Sequence, residues 1–206
     1  MKVYRITGRC AAQPLDVDWR EQLANRLGSR PRRLGRWAEL GLFGALTCMA
    51  SGAESTLREH AALVLSSQHG PALALRSALA QARDDLPMPL TFLQAQPSQL
   101  LAALSLHLGW CGDARFITHP DPLAVLALAL AVADSHADGL LMGWVNELET
   151  ESSLWMRLQP VTDAGGNWRE AGDFGVMLQH ASFVRLRQSR LEVIIDPQNI
   201  HADQVH

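Results

Sequence analysis

Cysteine is scarce in this chain and tyrosine scarcer: there are three cysteines and one tyrosine among 206 residues. Cys10, Cys48 and Cys111 show neither CxxC spacing nor an even count, so no disulfide framework is expected. The chain fits a reducing cytoplasm. No long apolar run follows Lys2, so no secretory signal is expected. The apolar run Leu123–Ala133 is about eleven residues, too short to cross a bilayer. A helix apolar on every face is instead expected to be a buried central one. Net charge is −3 and no broad basic surface is concentrated, which argues against a nucleic-acid binder. His60 and His69, or His119 and His136, lack helical ligand spacing, so no metal site is expected. The glycines of Ala164–Asn167 do not lead into a helix as a phosphate cradle would, and no cofactor is implied. Ser66, Ser67 and His69 do not meet the GxSxG pattern of a hydrolase elbow. They read as a strand-end turn closed by Gly70.

What is present is a globular balance, 48% hydrophobic and 19% charged, in a length suited to one domain. Residues 1–196 read as that domain and 197–206 as a frayed tail. Strands are expected at Val3–Thr7, Ala61–Ser67, Arg115–Thr118 and Leu140–Glu149. Helices are expected at Asp18–Leu27, Arg32–Met49, Pro71–Arg83, Ser98–Leu108 and Pro122–His136, with an irregular segment around Pro87, Pro89 and Pro97. In the second helix Gly35, Ala38, Gly41, Gly44, Ala45 and Cys48 form a small-residue stripe. Each glycine there costs about 1 kcal/mol, which points to a close packing contact. Beyond Ala164 the segments Phe174–Gln179, Phe183–Arg187 and Leu191–Ile195 read as a β-rich tail. Alternating apolar strands and helices make the chain α/β, with a mixed, largely parallel sheet covered by helices on both faces.

The segment Arg115–Glu147, RFITHPDPLAVLALALAVADSHADGLLMGWVNE, runs strand, sharp turn, Ala/Leu helix and second strand. It resembles the central segment of the thiolase-type condensing enzymes, the β-ketoacyl synthases. Other pieces fall in the same order: KVYRITGRC at Lys2–Cys10, PRRLGRWAELGLFGAL at Pro31–Leu46, LVLSSQHG at Leu63–Gly70, the stretch Pro89–Leu108, and EAGDFGVMLQ at Glu170–Gln179. The resemblance covers roughly residues 2–180, and the order of the pieces carries it. It implies a thiolase-like fold, one half only, most similar to the short chain-length factors of type II polyketide systems, including those making aryl polyenes.

In that family the turn after the strand carries a nucleophilic cysteine. Here Thr118 or His119 stands in its place, and the half that supplies two histidines is absent. The resemblance therefore implies no catalytic residue of this chain's own. It implies a non-enzymatic subunit that pairs with a complete ketosynthase, as a heterodimer or heterotetramer, and shapes its acyl tunnel. Phe92, Leu93, Leu104, Leu108, Trp110, Arg115, Phe116 and Ile117 would lie at that interface or tunnel. Arg32, Arg33 and Arg36, with Arg30, read as a solvated helix start or as a contact for an acyl carrier protein. The rival readings are a stand-alone acyl-transfer or hydrolytic enzyme using Cys111 or His119, and a scaffold that binds an acyl carrier. A half-size chain should also leave an apolar sheet face exposed. Six tryptophans offer candidate interface anchors.

Overall fold

The computed structural model describes residues 2–86 and 88–195. The expected frayed tail, 197–206, and the Pro87 punctuation lie outside the described residues. A single eight-stranded sheet organises the chain, in the order β3-β2-β4-β5-β1-β7-β8-β6. The strands are β1 (Val3–Ala12), β2 (Ala62–Ser67), β3 (Ala114–Thr118), β4 (Leu140–Asn146), β5 (Ser152–Val161), β6 (Arg169–Glu170), β7 (Ala181–Arg187) and β8 (Arg190–Ile195). β2 pairs in parallel with both β3 and β4, whereas β5 is antiparallel to β4 and β1. β1 to β4 therefore all run one way, and β5 alone in this five-stranded core runs against them. β7 and β8 form a hairpin that extends the sheet beyond β1. The β-rich tail thus completes this chain's own sheet.

Helices α1 (Trp19–Leu27), α2 (Arg36–Ser51) and α5 (Ser98–His107) cover one face. Helices α6 (Pro122–Ala133) and α7 (Phe174–His180), with side chains of the β7–β8 hairpin, cover the other. Every residue of β2 is buried, as is all of β4 but its last, because both of their faces are packed. The expected exposed sheet face is therefore absent: α6, α7 and the hairpin occupy it. α6 itself is only half-wrapped. Val125, Leu126, Ala129, Leu130 and Ala133 face the sheet, while Leu128 is 53% exposed.

The small-residue stripe of α2 is explained by α5, whose Leu100 lies against Gly41, and by β5, whose Trp155 lies against Gly44. A Cβ added at Gly44 would sit 2.5 Å from the Trp155 ring, and one at Gly143 of β4 would sit 2.4 Å from it. The indole is held between two glycines, and its Nε1 donates to Ser153 Oγ, which donates to the Leu40 carbonyl.

Several elements differ from expectation: β5 fills a stretch where no strand is expected, and α4 is helical where the prolines suggest an irregular segment, because Pro89 opens it at the first helical position. Phe174–Gln179 is helical, because Asp173 caps it by accepting from Val176 N–H and Phe174, Met177 and Leu178 fall on one buried side. α2 begins at Arg36, so Arg32 and Arg33 lie on the preceding loop, with Arg33 at φ 75°. The remaining helices, α3 (Ala72–Arg83) and α4 (Pro89–Gln94), bury no side chain fully.

Candidate functional site

The C-terminal ends of β2, β3 and β4 meet where a parallel sheet places its ligands. Three connections are held there by short-range chemistry. After β3 the chain turns through Thr118 and His119, and Asp121 caps α6 by accepting from Leu123 N–H at 2.8 Å. Pro122 supplies the first helical residue, where a missing N–H costs nothing. His119 N–H donates to the Ser67 carbonyl, and its Nδ1 lies 3.0 Å from Asp121 N. That ring is committed to its own turn.

After β2, Ser67 Oγ accepts from Gly70 N–H at 2.8 Å and donates to Asn146 Oδ1 at 3.1 Å. Asn146 Oδ1 also accepts from Gln68 N–H, so the end of β4 is stitched to the β2 turn. Ser66 Oγ donates to the Gly143 carbonyl. Both serines are fully buried and bonded, and His69 is exposed. The strand-end turn is what they build, with Gly70 at φ 61°.

Glu147, 6% exposed, accepts from Leu73 N–H at 2.7 Å at the start of α3. Burial pushes its carboxyl above the ordinary glutamate range, against the opposing pull of that N–H and of Arg36. A cleft of about 460 Å³ opens beside these turns, lined by Gln68, His69, Pro122, Trp144, Asn146 and Phe174. Glu147 and Asn146 gave no sequence signal, since each looks like an ordinary polar residue ending a strand.

β3 is the edge of the sheet, so one side of its backbone has no strand partner among the described residues. Phe116 points to the α2 face, where it meets Trp37 edge-on at 5.8 Å, and Ile117 packs on the opposite side against the α6 cluster. Arg115 is held by Asp113 at 2.8 Å. Phe92 and Leu93 on α4 are 62% and 48% exposed. α4 packs on α3, and Arg115, Phe116 and Ile117 belong to the edge strand.

Leu104, Leu108 and Trp110 do not join them. Leu104 and Leu108 do share a face, but it is turned into this chain's own core against α2, and both are wholly buried. Trp110 is 4% exposed and packs on Gly112. They present no surface to a partner. Trp19, Trp37, Trp144 and Trp155 are likewise buried, and Trp168 is covered by the Arg185 guanidinium at 3.9 Å.

Cys111 precedes β3 and His119 follows it, so the strand separates them by roughly 17 Å. They cannot share a reacting centre. Near Cys111, His136 has Nε2 3.5 Å from Asp113 Oδ2 and Nδ1 3.0 Å from the Val132 carbonyl, so it activates no thiol. Arg36 forms a two-pronged pair with Glu151 at 2.5 and 2.7 Å, which removes it from any carrier contact. Arg32 and Arg33 stay exposed beside a cleft of about 380 Å³ that includes Leu106. Among the described residues no cluster of His, Cys, Asp or Glu could hold a metal ion, and no helix is long and apolar enough to cross a membrane.

The architecture is shared with solved structures. A chain of the ketosynthase ApeO in complex with its chain length factor ApeC from Xenorhabdus doucetiae superposes with a TM-score of 0.57 at 14% identity, covering 93% of this chain and 98% of that one. The fold is that of the ketosynthases. A second ketosynthase-fold neighbour, from the apo AntDE:AntF complex of a type II polyketide acyl-carrier protein with its ketosynthase, gives 0.56 at 14% identity over 78% of this chain. The ishigamide ketosynthase/chain length factor gives 0.53 at 12% identity over 78% of it. This chain spans less than two thirds of those last two, 63% and 58% of their lengths. No protein-family model and no curated protein sequence matches it. Within the ketosynthase fold, the turn at Thr118–His119 carries no cysteine, and the only exposed thiol, Cys111, sits at the wrong end of β3.

Proposed function

We propose that the chain is a non-catalytic, chain-length-factor-like subunit that pairs with a complete ketosynthase of a type II polyketide system, of the aryl polyene kind. The observation that carries this reading is the combination of a free strand edge and an apolar helix pair. β3 has no strand partner on its outer side among the described residues, and α3 and α4, packed on each other, bury nothing fully, with Leu73, Leu75 and Leu79 on α3 and Leu90, Phe92 and Leu93 on α4 all exposed. Such edges and patches invite a partner, and a soluble monomer rarely carries both. The partner supplies the thiolate and the histidines; this chain supplies the facing wall of the acyl tunnel. Phe92 and Leu93, exposed on α4, with Phe116 and Ile117 of the edge strand, are the proposed contacts, and Thr118 and His119 would mark where the partner's chemistry is not duplicated.

The test is co-expression with a ketosynthase, followed by size-exclusion chromatography with mass determination. A stable one-to-one unit, or a multiple of it, is expected. Phe92→Asp should abolish it while leaving the far-ultraviolet spectrum of this chain unchanged, since Phe92 supports no core. A well-behaved lone monomer that ignores the ketosynthase would overturn the reading.

A second partner is favoured by the loop before α2. Arg30, Arg32 and Arg33 form no ion pair among the described residues, and Arg32 and Arg33 line a cleft with exposed Leu106. An acyl carrier protein, acidic with an apolar contact residue, fits that surface. Binding there should weaken with salt and be lost in R32A/R33A.

A further inference from the structure

The pole opposite the β3 turn holds a separate cleft of about 460 Å³. α6 spans the two poles, so its C-terminal end lies about 18 Å from the Thr118 turn. Lys2 and Tyr4 of β1, Leu130 and Asp134 at the end of α6, and Leu186 and Arg187 at the β7–β8 turn line this cleft. Three features there are unexplained by the packing of the chain itself.

Tyr4 is 2% exposed, yet its hydroxyl has no hydrogen-bond partner among the described residues. A buried phenol normally finds one. Burial and the nearby Asp134 charge push its pKa up to about 12, so it stays a donor. Asp134 and Arg187 both line the cleft, and neither forms an ion pair among the described residues, while the Lys2 ammonium donates one hydrogen bond to the Asp134 backbone carbonyl and has two N–H groups left. Arg187 lies directly across the hairpin from Arg190, a like-charge pairing that destabilises a bare ladder. The turn between them, Gln188 and Ser189 at φ 48° and 63°, is the two-residue type I′ turn that joins a hairpin, and it fixes Arg187 at the rim of the cleft.

Charges of both signs around an apolar floor select a ligand that also carries both. We propose that this cleft binds a small zwitterion, an α-amino acid with an apolar side chain. Its carboxylate meets Arg187 and Lys2 and accepts from the Tyr4 hydroxyl. Its ammonium faces Asp134, and its side chain lies on Leu130 and Leu186. A simple anion would leave Asp134 opposed to it, and a simple cation would leave the two bases opposed. The site does not depend on the pairing proposed above.

The probe is L-leucine, compared with isocaproate, which lacks the ammonium, and isoamylamine, which lacks the carboxylate. Titration followed by amide chemical shifts should give saturable binding of L-leucine centred on residues 2–4, 131–134 and 186–190. Both analogues should bind at least about tenfold more weakly, as loss of a charged hydrogen bond predicts. Tyr4→Phe should weaken L-leucine about fivefold or more without lowering the melting temperature, because the hydroxyl has no internal partner to lose. Arg187→Gln and Asp134→Asn should each reduce binding. Absence of saturable L-leucine binding, isocaproate binding as tightly as leucine, or unchanged binding by Tyr4→Phe would each overturn the proposal.

Discussion

Arg157 is a guanidinium with no exposure in the middle of β5. Its Nε donates to Glu54 Oε2 at 2.8 Å, and its Nη1 donates to the Asp138 and Leu158 carbonyls. Removing one partner of such a pair strands the other charge, which typically costs 3–5 kcal/mol. Glu54→Ala should therefore lower the urea midpoint by that order, whereas replacing the exposed Arg20–Glu39 pair should change it by less than about 1 kcal/mol. Glu147 behaves differently. Burial raises its folded pKa above the ordinary 4.5, so the native state holds that proton more tightly than the unfolded chain does. The resulting stabilisation is complete below the unfolded value and is lost as pH rises through the raised folded one. Glu147→Gln, which keeps an oxygen for Leu73 N–H, should be more stable than the parent at pH 7. The gap should close as the pH of the denaturation is lowered. The thiols are also separable at this scale: burial pushes Cys10 up to about 11 and Cys48 higher still, while Cys111 is exposed. One fast-reacting thiol per folded chain is expected with a disulfide reagent, and three after unfolding.

Among the elements that sequence reasoning does not find, β5 is the longest. Its residues SSLWMRLQPV carry an arginine where an inward-facing apolar residue would be expected, and the neutralising Glu54 lies about a hundred positions earlier. No local window contains both. α7 was misread for a different reason: a run of six or seven residues fits either period, and only the Asp173 cap distinguishes them. By contrast β2, α6 and β4 were legible, because turn residues bound short apolar runs, and the Asp121–Pro122 pair marks the α6 start. The candidate site was half legible. The β3 edge and exposed Phe92 and Leu93 followed from the resemblance, but the inward rotation of Leu104, Leu108 and Trp110 depends on how α5 docks on α2. The Trp155 clamp offers a test at this level. Gly143→Ala drives a methyl to 2.4 Å from the indole and should cost about 1–3 kcal/mol. Trp155→Phe in the same chain should recover part of it, a coupling that a double-mutant cycle would read.

At the scale of the whole molecule, the chain covers the inner face of its sheet with its own C-terminal elements. Phe174, Met177, Val184 and Leu191 pack with Val125 and Leu130 where a sheet of this kind needs a second layer. What remains uncovered is lateral, along β3, α3 and α4. A chain completed on its faces and open along one edge should be folded alone but self-associating. Dynamic light scattering of the isolated chain should show concentration-dependent growth, suppressed when a ketosynthase is added or when Phe92 is replaced by Asp.

The position of β1 has a further consequence, for synthesis. β1 is made before both of its partners: it sits between β5 and β7, and its register joins Val3 to Val161 on one side and to Arg185 on the other. α2 can pack on it early, through Ser51 and Arg9, but no strand emerging before β5 pairs with it. Until then β1 is a sticky, unpaired ribbon that must be shielded. A ribosome stalled at residue 150 would display β1 open to proteases, so the synthesis of β5 and β7 decides when residues 3–12 become protected.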